Sequence, residues 1–456
     1  MSDQDIRQGI CQFLSQWEEQ PQAIEPLLEI SLRHSETEFN QVQRALATSL
    51  AAGVIRWHKR LDHYIDTLLT RKKRVQPELR NILRLALFEL EFPMSKARPE
   101  YAVVSEAVNL AKTLTPGREG FVNGILRSFL RHKSGELLPA DDNQPQNMAV
   151  RHSLPVWLVK KWQADFGQPA TRTLCLKANQ FQGTTFRVNC RKITGNNFLE
   201  RFKLEDKTEL KLEKGKYGKN VLHTLKSAPL LHSEWFKEGF ISVQDEGAQL
   251  IVELLNPQPG EIILDACAAP GGKSAYMAEL NDDKCTIIAA DSEPERLKKI
   301  SATSTRLGLN SITPAAVDLT RSLPANLPQT YDRILVDAPC SGLGVICRRP
   351  DLRWRKSLKE IDGLSKIQLQ ILSNCSKYLK VGGRLIYATC TTCRDENQDV
   401  VEKFLTHNQN FSLLREEEIE SENLRKLINR NNFFETSFIT DAQMDGFFAA
   451  PIIRTS

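Results

Sequence analysis

The sequence lacks the features that mark membrane-spanning and secreted proteins. None of its apolar stretches approaches the ~20 continuous apolar residues of a membrane span. Its start, Met1 to Ile10, is polar and partly acidic, without the basic end and apolar run of a secretory signal. Its ten cysteines are scattered, which fits a reducing compartment better than a disulfide framework. We therefore expect a cytoplasmic protein that binds no membrane.

Several ligand-binding motifs are missing as well. Neither the dinucleotide fingerprint G-x-G-x-x-G nor the phosphate-binding loop G-x-x-x-x-G-K-[ST] occurs. Cys390 and Cys393 form one C-x-x-C, which permits a redox pair or half of a zinc site. No second C-x-x-C and no suitably spaced histidine pair accompanies it, so we predict that the protein holds no metal.

The chain is long enough for two or three domains. It has 456 residues, of which 41% are apolar and 26% are charged, an ordinary globular balance. In its first part apolar residues recur at helical spacing, as in Val42, Leu46 and Leu50. A polar segment with two prolines follows at residues 135–146 and is typical of a linker. We predict an all-helical domain over residues 1–140.

The middle of the chain mixes two patterns. A helical pattern surrounds Trp157 to Phe166, and short alternating runs occupy residues 184–188 and 221–225. We predict a small α+β connector domain over residues 141–235.

The last part of the chain alternates buried strands with amphipathic helices. Such alternation favours a doubly wound, Rossmann-like α/β domain with a parallel sheet, which we predict over residues 236–456. A helix is expected at residues 357–379, and a final pair of strands near residues 433–439 and 446–453. The four predicted sheet strands are residues 261–266, 285–291, 331–337 and 383–389.

The first two of these strands end in residues suited to a nucleoside. The first breaks into the glycine turn of residues 265–273, DACAAPGGK, which lets the backbone approach a ligand. The second ends in Asp291. It follows the glycine turn at about the sequence separation at which an acidic residue holds a ribose hydroxyl in nucleotide-binding sheets. Because phosphate-binding motifs are absent, S-adenosylmethionine fits better than NAD or ATP. Gly271 and Gly272 could instead form an ordinary turn, and Asp318, a candidate partner of the adenine amine, could be a turn residue.

Two cysteines end the other two strands. Cys340 follows Asp337, and Cys390 follows residues 383–389. Adjacent strands lie about 4.8 Å apart, so two thiols at their ends can flank one substrate ring. Addition of a thiolate to carbon 6 of cytosine activates carbon 5 for methylation, and a carboxylate such as Asp337 can stabilise the adduct. These arguments leave open which thiol attacks and which base removes the carbon 5 proton.

The remaining cysteines and the basic residues have simpler interpretations. We assign Cys175, Cys190, Cys285 and Cys375 to the core, as small buried side chains. The net charge is only +5, but positive residues cluster, and such clusters can either contact RNA phosphates or form solvated faces. We favour RNA contact most strongly for the cluster nearest Cys340, which includes Trp354. The clusters are residues 56–60, 71–74, 127–131, 187–192 and 348–356.

The motifs resemble those of a known family. The runs DACAAPGGK (265–273), DAPCSGLG (337–344) and YATCTT (387–392) with Glu396 and Asn397 are similar to motifs of the RNA cytosine-C5 methyltransferases. The runs YAVVSEAVNLAK (101–112) and GFVNGILR (120–127) resemble the helical RNA-binding domain of the NusB antitermination factor. The pairing is similar to that of bacterial enzymes that methylate 16S ribosomal RNA, and it covers nearly the whole chain.

The resemblance implies roles for individual residues. It implies Cys390 as nucleophile and Cys340 as the thiol that assists product release, with Asp337 and Lys273 beside them. Two departures are Thr391, where serine is usual, and the additional thiols Cys347 and Cys393. The implied binding residues for S-adenosylmethionine are Cys267, Ala268, Ala269, Pro270, Gly271, Gly272, Lys273, Asp291, Asp318 and Asp337.

The expected partner is small-subunit ribosomal RNA or an early ribosomal particle, bound by a monomer. One alternative keeps the chemistry but makes transfer RNA the substrate. Another is a catalytically inert RNA-binding assembly or antitermination factor. The presence of the glycine turn, both thiols, Asp291 and Asp337 argues against that last alternative, since an inactive descendant would be free to lose them.

Overall fold

The chain forms two compact units. The computed structural model describes residues 3–33, 40–69, 75–93, 98–132, 134–180, 182–205, 210–437 and 443–456. The first unit combines Met1–Gln180 with the short segment Arg348–Lys356, and the second combines Phe181–Cys347 with Ser357–Ser456. The boundaries proposed above, at residues 140 and 235, remain a proposal about independently folding domains, which limited proteolysis would test.

The regular elements among the described residues of the first unit are all helices. A 3-10 turn at Ser134–Leu137 joins its two main groups of helices. The α-helices are α1 (Asp3–Glu19), α2 (Ile24–Arg33), α3 (Gln41–Leu68), α4 (Pro77–Glu91), α5 (Glu100–Leu114), α6 (Glu119–Arg131), α7 (Pro145–Arg151), α8 (Val156–Lys177) and, from the later segment, α15 (Leu352–Arg355).

Local sequence signals explain where these helices begin and pack. Asn40 caps α3: its side chain accepts from the Gln43 N–H, and the Gln43 side chain accepts from the Asn40 N–H. Pro77 occupies the first turn of α4, where its missing N–H costs no helical bond. A side chain at Gly53 would overlap the Phe88 ring, so glycine lets α3 and α4 approach closely.

The second unit begins with a small antiparallel sheet and its helices. The strand order is β2-β3-β1-β4, and β1 is central, with Phe186 opposite Leu222 on one side and Val243 on the other. Its elements are β1 (Thr184–Val188), α9 (Gly195–Glu205), β2 (Glu213–Lys214), β3 (Val221–Thr224), α10 (Ala228–Leu231), α11 (Glu234–Lys237) and β4 (Ile241–Val243).

A larger mixed sheet follows in the second unit. The parallel strands β7, β6, β5, β8 and β9 lie side by side, and β12 joins β9 antiparallel, with β10 and β11 beside it. The elements are α12 (Glu246–Leu255), β5 (Ile262–Ala266), α13 (Gly272–Leu280), β6 (Thr286–Asp291), α14 (Pro294–Leu307), β7 (Ile312–Ala316), β8 (Tyr331–Asp337), α16 (Leu358–Ser376), β9 (Leu379–Thr389), α17 (Gln398–His407), β10 (Phe411–Leu413), α18 (Glu422–Arg425), β11 (Phe434–Glu435) and β12 (Phe448–Arg454).

The large sheet is buried on both faces. Along β5, Ile263 belongs to one hydrophobic cluster and Leu264 to another, because successive strand residues point to opposite faces. The chain order reverses direction between β5 and β8, and ligands of open α/β sheets bind at such a switch point, outside the carboxyl ends of the strands.

The predicted fold class is confirmed. The helical first part, the α+β middle and the α/β last part all occur, and the observed β8 coincides with the predicted residues 331–337. The sheet is mixed rather than purely parallel, because the last strands run antiparallel to β9. Residues 438–442, within and beyond the predicted strand at 433–439, lie outside the described part of the chain. Within the described part, no helix has the length and apolar character needed to cross a membrane.

Candidate active site

The structure brings the two strand-end thiols into contact. Strands β8 and β9 are parallel neighbours, with Asp337 opposite Ala388. Cys390 directly follows β9, and Cys340 lies in the loop after β8. Their Sγ atoms are 3.3 Å apart, and the Cys390 backbone N–H donates to the Cys340 Sγ at 3.4 Å. Two sulfur atoms at this distance can act on one small substrate ring.

The surroundings of Cys340 favour its protonated form. The hydrogen bond with Cys390 and burial together hold the pKa of the Cys340 thiol well above its ordinary value of 9.0. Cys340 therefore stays a thiol at neutral pH. The S–H of Cys340 lies within hydrogen-bond distance of the Cys390 sulfur.

An ion pair lies beside the thiols. The Lys273 Nζ is 2.6 Å from Asp337 Oδ2, and it also lies 5.7 Å from the centre of the Phe447 ring. Burial alone would lower the pKa of Lys273, but the carboxylate of Asp337 and the nearby Cys390 raise it above its usual value. Lys273 is thus a fixed positive charge within electrostatic reach of Cys390.

The glycine turn after β5 has an unusual backbone. Cys267 has a φ of 61° and Gly271 a φ of 96°, both in the left-handed region. A side chain at Gly271 would also approach the Ile300 Cα within 3.1 Å. The Gly271 N–H bonds the Ala268 carbonyl at 2.7 Å, and α13 begins at the next residue. Glycine is needed here for both its conformation and its small size.

Carboxylates also follow the next two strands of the sheet, β6 and β7. Asp291, at the end of β6, is 2% exposed and accepts from the Ala269 N–H at 3.3 Å and the Glu293 N–H at 3.1 Å. Asp318, beyond β7, is exposed, and hydrogen bonds from Thr320 lower its pKa. The structure therefore joins Asp291 to the glycine turn, whereas the recorded side-chain partners of Asp318 are local.

Three side chains of this region were not among the predicted site residues. Asp265, the next-to-last residue of β5, is fully buried, and burial raises its pKa to about 7. The Ser274 hydroxyl donates to its Oδ2, and its Oδ1 has no partner among the described residues. Phe447 lies under Lys273, and Glu396 bonds the loops of both thiols. Asp265 lies in the run DACAAPGGK, and Glu396 lies just after the run YATCTT, so these motifs could have marked both residues. Nothing in the local sequence marked Phe447.

Two predicted RNA contacts are wrong because the side chains are buried. Arg187 is 1% exposed and pairs with Glu279 at 2.6 Å. Arg353, which lies in the first unit, is completely buried and donates to the carbonyls of Ser153 at 3.1 Å and Ala178 at 2.7 Å.

Other members of the same clusters differ. The Trp354 indole N–H donates to the Ile55 carbonyl at 2.8 Å, so this ring packs inside the first unit. Arg348 and Arg349 are exposed and stay candidates for RNA contact. The cluster at residues 71–74 lies outside the described residues. No group of three or more His, Cys, Asp or Glu residues in the described part of the chain could hold a metal ion.

Comparison with known families matches the three parts of the chain. The model of the 16S rRNA methyltransferase RsmB/F family matches residues 252–453, and the NusB family matches residues 4–131. Residues 154–223 match a ferredoxin-like domain of RsmF/B-like methyltransferases, which identifies the connector.

Solved structures confirm the fold. The crystal structure of PH0851 superposes with a TM-score of 0.76 at 22% identity, covering 100% of this chain and 99% of that one. The structure of NSun6 from Pyrococcus horikoshii with SFG gives a TM-score of 0.58 at 20% identity, covering 67% of this chain and 99% of that one.

Curated relatives are similar over most of their length. The probable ribosomal RNA small subunit methyltransferase B of Bacillus subtilis is 35% identical, with 86% of each chain covered. The ribosomal RNA small subunit methyltransferase B of Pseudomonas putida is 30% identical, with 90% of each chain covered. Membership of a methyltransferase family of this fold implies S-adenosylmethionine as the cofactor. The chain belongs to the RsmB/F family of S-adenosylmethionine-dependent methyltransferases of small-subunit ribosomal RNA.

Proposed function

We propose that this enzyme methylates carbon 5 of a cytosine in 16S ribosomal RNA, with Cys390 as the covalent nucleophile. The observation that carries the proposal is the 3.3 Å separation of the Cys340 and Cys390 sulfurs. The ion pair of Lys273 and Asp337 beside them adds charge of both signs at the same place. These side chains supply a nucleophile, a second thiol, a cation and a carboxylate, each of which has a role in this reaction.

The reaction proceeds through a bond between sulfur and carbon 6. Carbon 5 of cytosine is too weak a nucleophile to attack a methyl sulfonium directly. When the Cys390 thiolate bonds to carbon 6, the electron pair of the C5–C6 double bond shifts toward carbon 5, and N3 takes up a proton. Once carbon 5 carries the methyl group, a base removes the carbon 5 proton, and the electron pair of that C–H bond re-forms the C5–C6 double bond. The Cys390 thiolate then leaves carbon 6 with the pair of the S–C bond, and N3 gives up the proton it had taken, which restores the free base.

The neighbouring side chains have distinct roles in this proposal. Lys273 attracts negative charge to the Cys390 sulfur, because its ammonium lies within electrostatic reach of that atom. Asp337 accepts a hydrogen bond from the protonated N3 of the ring. The hydrogen bond from Lys273 orients this carboxylate. Cys340, held as a thiol, assists release of the product.

The glycine turn and the strand-end acids fit the cofactor. When bound, S-adenosylmethionine supplies the methyl group from a positively charged sulfonium. The absence of a phosphate loop and the presence of carboxylates suit a cationic nucleoside, and Asp265 offers a buried oxygen without a partner among the described residues. We propose that Asp291 holds the ribose and Asp318 the adenine amine. The turn residues proposed to surround the cofactor are Cys267, Ala268, Ala269, Pro270, Gly271, Gly272 and Lys273.

The RNA must present its cytosine out of a stacked helix. A base within a duplex cannot expose carbon 6 to a thiol, so the target is flipped out or lies in a loop. We propose that the NusB-like helices bind the surrounding RNA, either free or in an early ribosomal particle. A single chain suffices, because one chain supplies both thiols, Lys273 and the strand-end acids.

Methyl transfer to defined RNAs tests the proposal. Wild-type enzyme would be incubated with labelled S-adenosylmethionine and either unmodified 16S ribosomal RNA or transfer RNA, and the labelled nucleoside identified by mass spectrometry. The expected product is 5-methylcytidine in 16S ribosomal RNA only. Label on another atom or base, or label in transfer RNA alone, would contradict the proposal.

A further inference from the structure

The carboxylate of Glu396 lies between the two loops that carry the thiols. Glu396 ends a 3-10 turn at Arg394–Glu396 and is completely buried. Its Oε1 accepts from the Ser341 backbone N–H at 2.8 Å, and its Oε2 accepts from the Thr391 hydroxyl at 3.1 Å and from the Ser341 hydroxyl. Ser341 directly follows Cys340, and Thr391 directly follows Cys390. One carboxylate thus bonds the immediate neighbour of each thiol.

Two amide side chains extend this arrangement. The Gln368 Nε2 donates to Glu396 Oε1 at 3.0 Å and to the Pro339 carbonyl at 2.9 Å. Since Pro339 and Ser341 flank Cys340, Gln368 and Glu396 together hold the chain on both sides of that thiol.

Asn397 does the same for the other thiol. Its Oδ1 accepts from the Thr389 hydroxyl at 2.5 Å, and its Nδ2 donates to the Thr391 carbonyl at 3.0 Å. Thr389 and Thr391 flank Cys390. Each thiol is therefore bracketed by side-chain hydrogen bonds, and Glu396 is the group common to both loops.

The number of available hydrogens shows that a neutral side chain at position 396 suits these contacts. The oxygens of Glu396, Ser341 and Thr391 make three mutual contacts, one of them the 2.7 Å contact between the two hydroxyls. The hydroxyls supply only two hydrogens, so one of the three contacts lacks a hydrogen when Glu396 is ionised. When Glu396 is protonated, its Oε2 can donate to one hydroxyl and accept from the other, and all three contacts are then filled. Burial raises the pKa of Glu396, in agreement with this count. A glutamine amide at this position could fill the same contacts.

We propose that Glu396 is the positioning residue that holds Cys340 and Cys390 at the separation their reaction requires. The inference deepens the proposed function and rests on it, because it assumes that both thiols act on one base. Glu396 does not touch the substrate in this account. Its effect is transmitted through Ser341 and Thr391, and it depends on hydrogen-bond geometry rather than on charge.

The separation of the thiols can be measured without RNA. In buffers of reduced and oxidised glutathione, glutathione disulfide takes two electrons and two protons from the thiol pair, leaving a Cys340–Cys390 disulfide and two glutathione thiols. The equilibrium gives an effective concentration for the pair, and peptide mass spectrometry distinguishes its disulfide from any formed by Cys347 or Cys393. The effective concentration depends on the relative placement of the two sulfurs. A general loss of stability would not change that placement in the molecules that remain folded.

The variants separate geometry from charge. We expect Glu396→Ala to lower the effective concentration and the rate of methyl transfer each by about 10-fold or more, equivalent to ~1.4 kcal/mol. Glu396→Gln should stay within roughly 3-fold of wild type in both, because the amide retains the contacts. Glu253→Ala, which removes a hydrogen-bonded carboxylate partner of Tyr276 elsewhere in the unit, is the matched control and should leave the effective concentration unchanged.

The outcomes are distinguishable from failure of the proposed function. An unchanged effective concentration in Glu396→Ala, or equal loss in Glu396→Gln and Glu396→Ala, overturns the positioning role. If thermal melting shows that Glu396→Ala does not fold, Thr391→Val tests the same link. It keeps the side-chain shape and should lower the effective concentration, whereas Thr391→Ser should not. If the thiol measurements behave as expected but no RNA is methylated, the positioning geometry stands and the proposed reaction fails.

Discussion

The two halves of the active site are built in different ways. At the end of β5 the backbone shapes the site, with positive φ at Cys267 and Gly271 and a turn that bonds to itself. At the ends of β8 and β9 side chains shape it, and Glu396 bonds Ser341 across 55 positions of the sequence. A backbone turn can be recognised from a run of adjacent residues. A side-chain network of this kind becomes visible only when the fold brings its members together.

The largest expected effect distinguishes the roles of the two thiols at the ends of β8 and β9. Cys390→Ala removes the group that bonds carbon 6, so methyl transfer should fall by several orders of magnitude. Cys340→Ala leaves the nucleophile in place, so it should complete the first methylation but release product slowly. Rapid-quench kinetics of a single turnover measures both, and a Cys390→Ala enzyme that still turns over would reverse the assignment.

A second variant tests whether a buried ion pair stabilises the half of the site at the end of β5, where we propose that the cofactor binds. Arg187 reaches from β1 to Glu279 in α13, and it also donates to the Gly272 carbonyl at 2.8 Å. Arg187→Ala leaves the Glu279 carboxylate buried and unpaired, so we expect a loss of about 3–5 kcal/mol in the free energy of unfolding. Arg394→Ala is the control, because Arg394 is itself half exposed and pairs with the partly exposed Asp399 at 2.9 Å, and it should cost at most about 1 kcal/mol. Urea denaturation distinguishes the two, and equal losses would refute the argument from burial.

Asp265, at the end of β5, makes the free energy of unfolding depend on pH. Its pKa is raised from 3.8 to about 7 by burial, so between these values the native state binds more protons than the unfolded state. The free energy of unfolding should therefore fall as pH rises from about 4 to about 7, by as much as a few kcal/mol. Asp265→Asn carries no titrating proton and should flatten this part of the profile. A profile unchanged by the substitution would show that other groups determine it.

The smallest expected effect concerns the turn itself. Gly271→Ala places a side chain in the left-handed region against Ile300, and we expect about 10-fold weaker binding of S-adenosylmethionine by calorimetry. Gly260→Ala is the control, because Gly260 has a similar φ of 83° but would meet no atom within 4 Å. Both variants should lose about 1–2 kcal/mol of stability through backbone strain. Equal loss of cofactor affinity in both would mean that the turn does not shape the binding site.

Local patterns in the sequence were sufficient to predict most of the sheet. Residues 331–337 and the strand ends at Ala266 and Asp291 were placed correctly, because short and nearly continuous apolar runs are typical of buried parallel strands. The antiparallel pairing of β12 with β9 could not be read in the same way, because pairing direction depends on how the chain returns to the sheet.

The partners of charged side chains could not be predicted from the sequence. Arg187, Arg191 and Arg353 all stood in basic clusters, yet Arg187 and Arg353 are buried and bonded inside the protein, whereas Arg191 is partly exposed. Charge spacing along the chain is the same whether a residue faces solvent or a buried acid. Only the fold supplies Glu279 to one arginine and backbone carbonyls to the other.

We propose that the Cys390 sulfur bonds carbon 6 of the target cytosine, and this bond can be mapped. Cys340→Ala enzyme, incubated with S-adenosylmethionine and 16S ribosomal RNA, should accumulate a covalent complex because product release is slowed. After digestion with protease and nuclease, mass spectrometry should find a methylated cytidine attached to the peptide that contains Cys390. Attachment to a different residue, or a complete absence of adduct while methylation proceeds, would refute the assignment of Cys390 as nucleophile and Cys340 as the thiol that assists release.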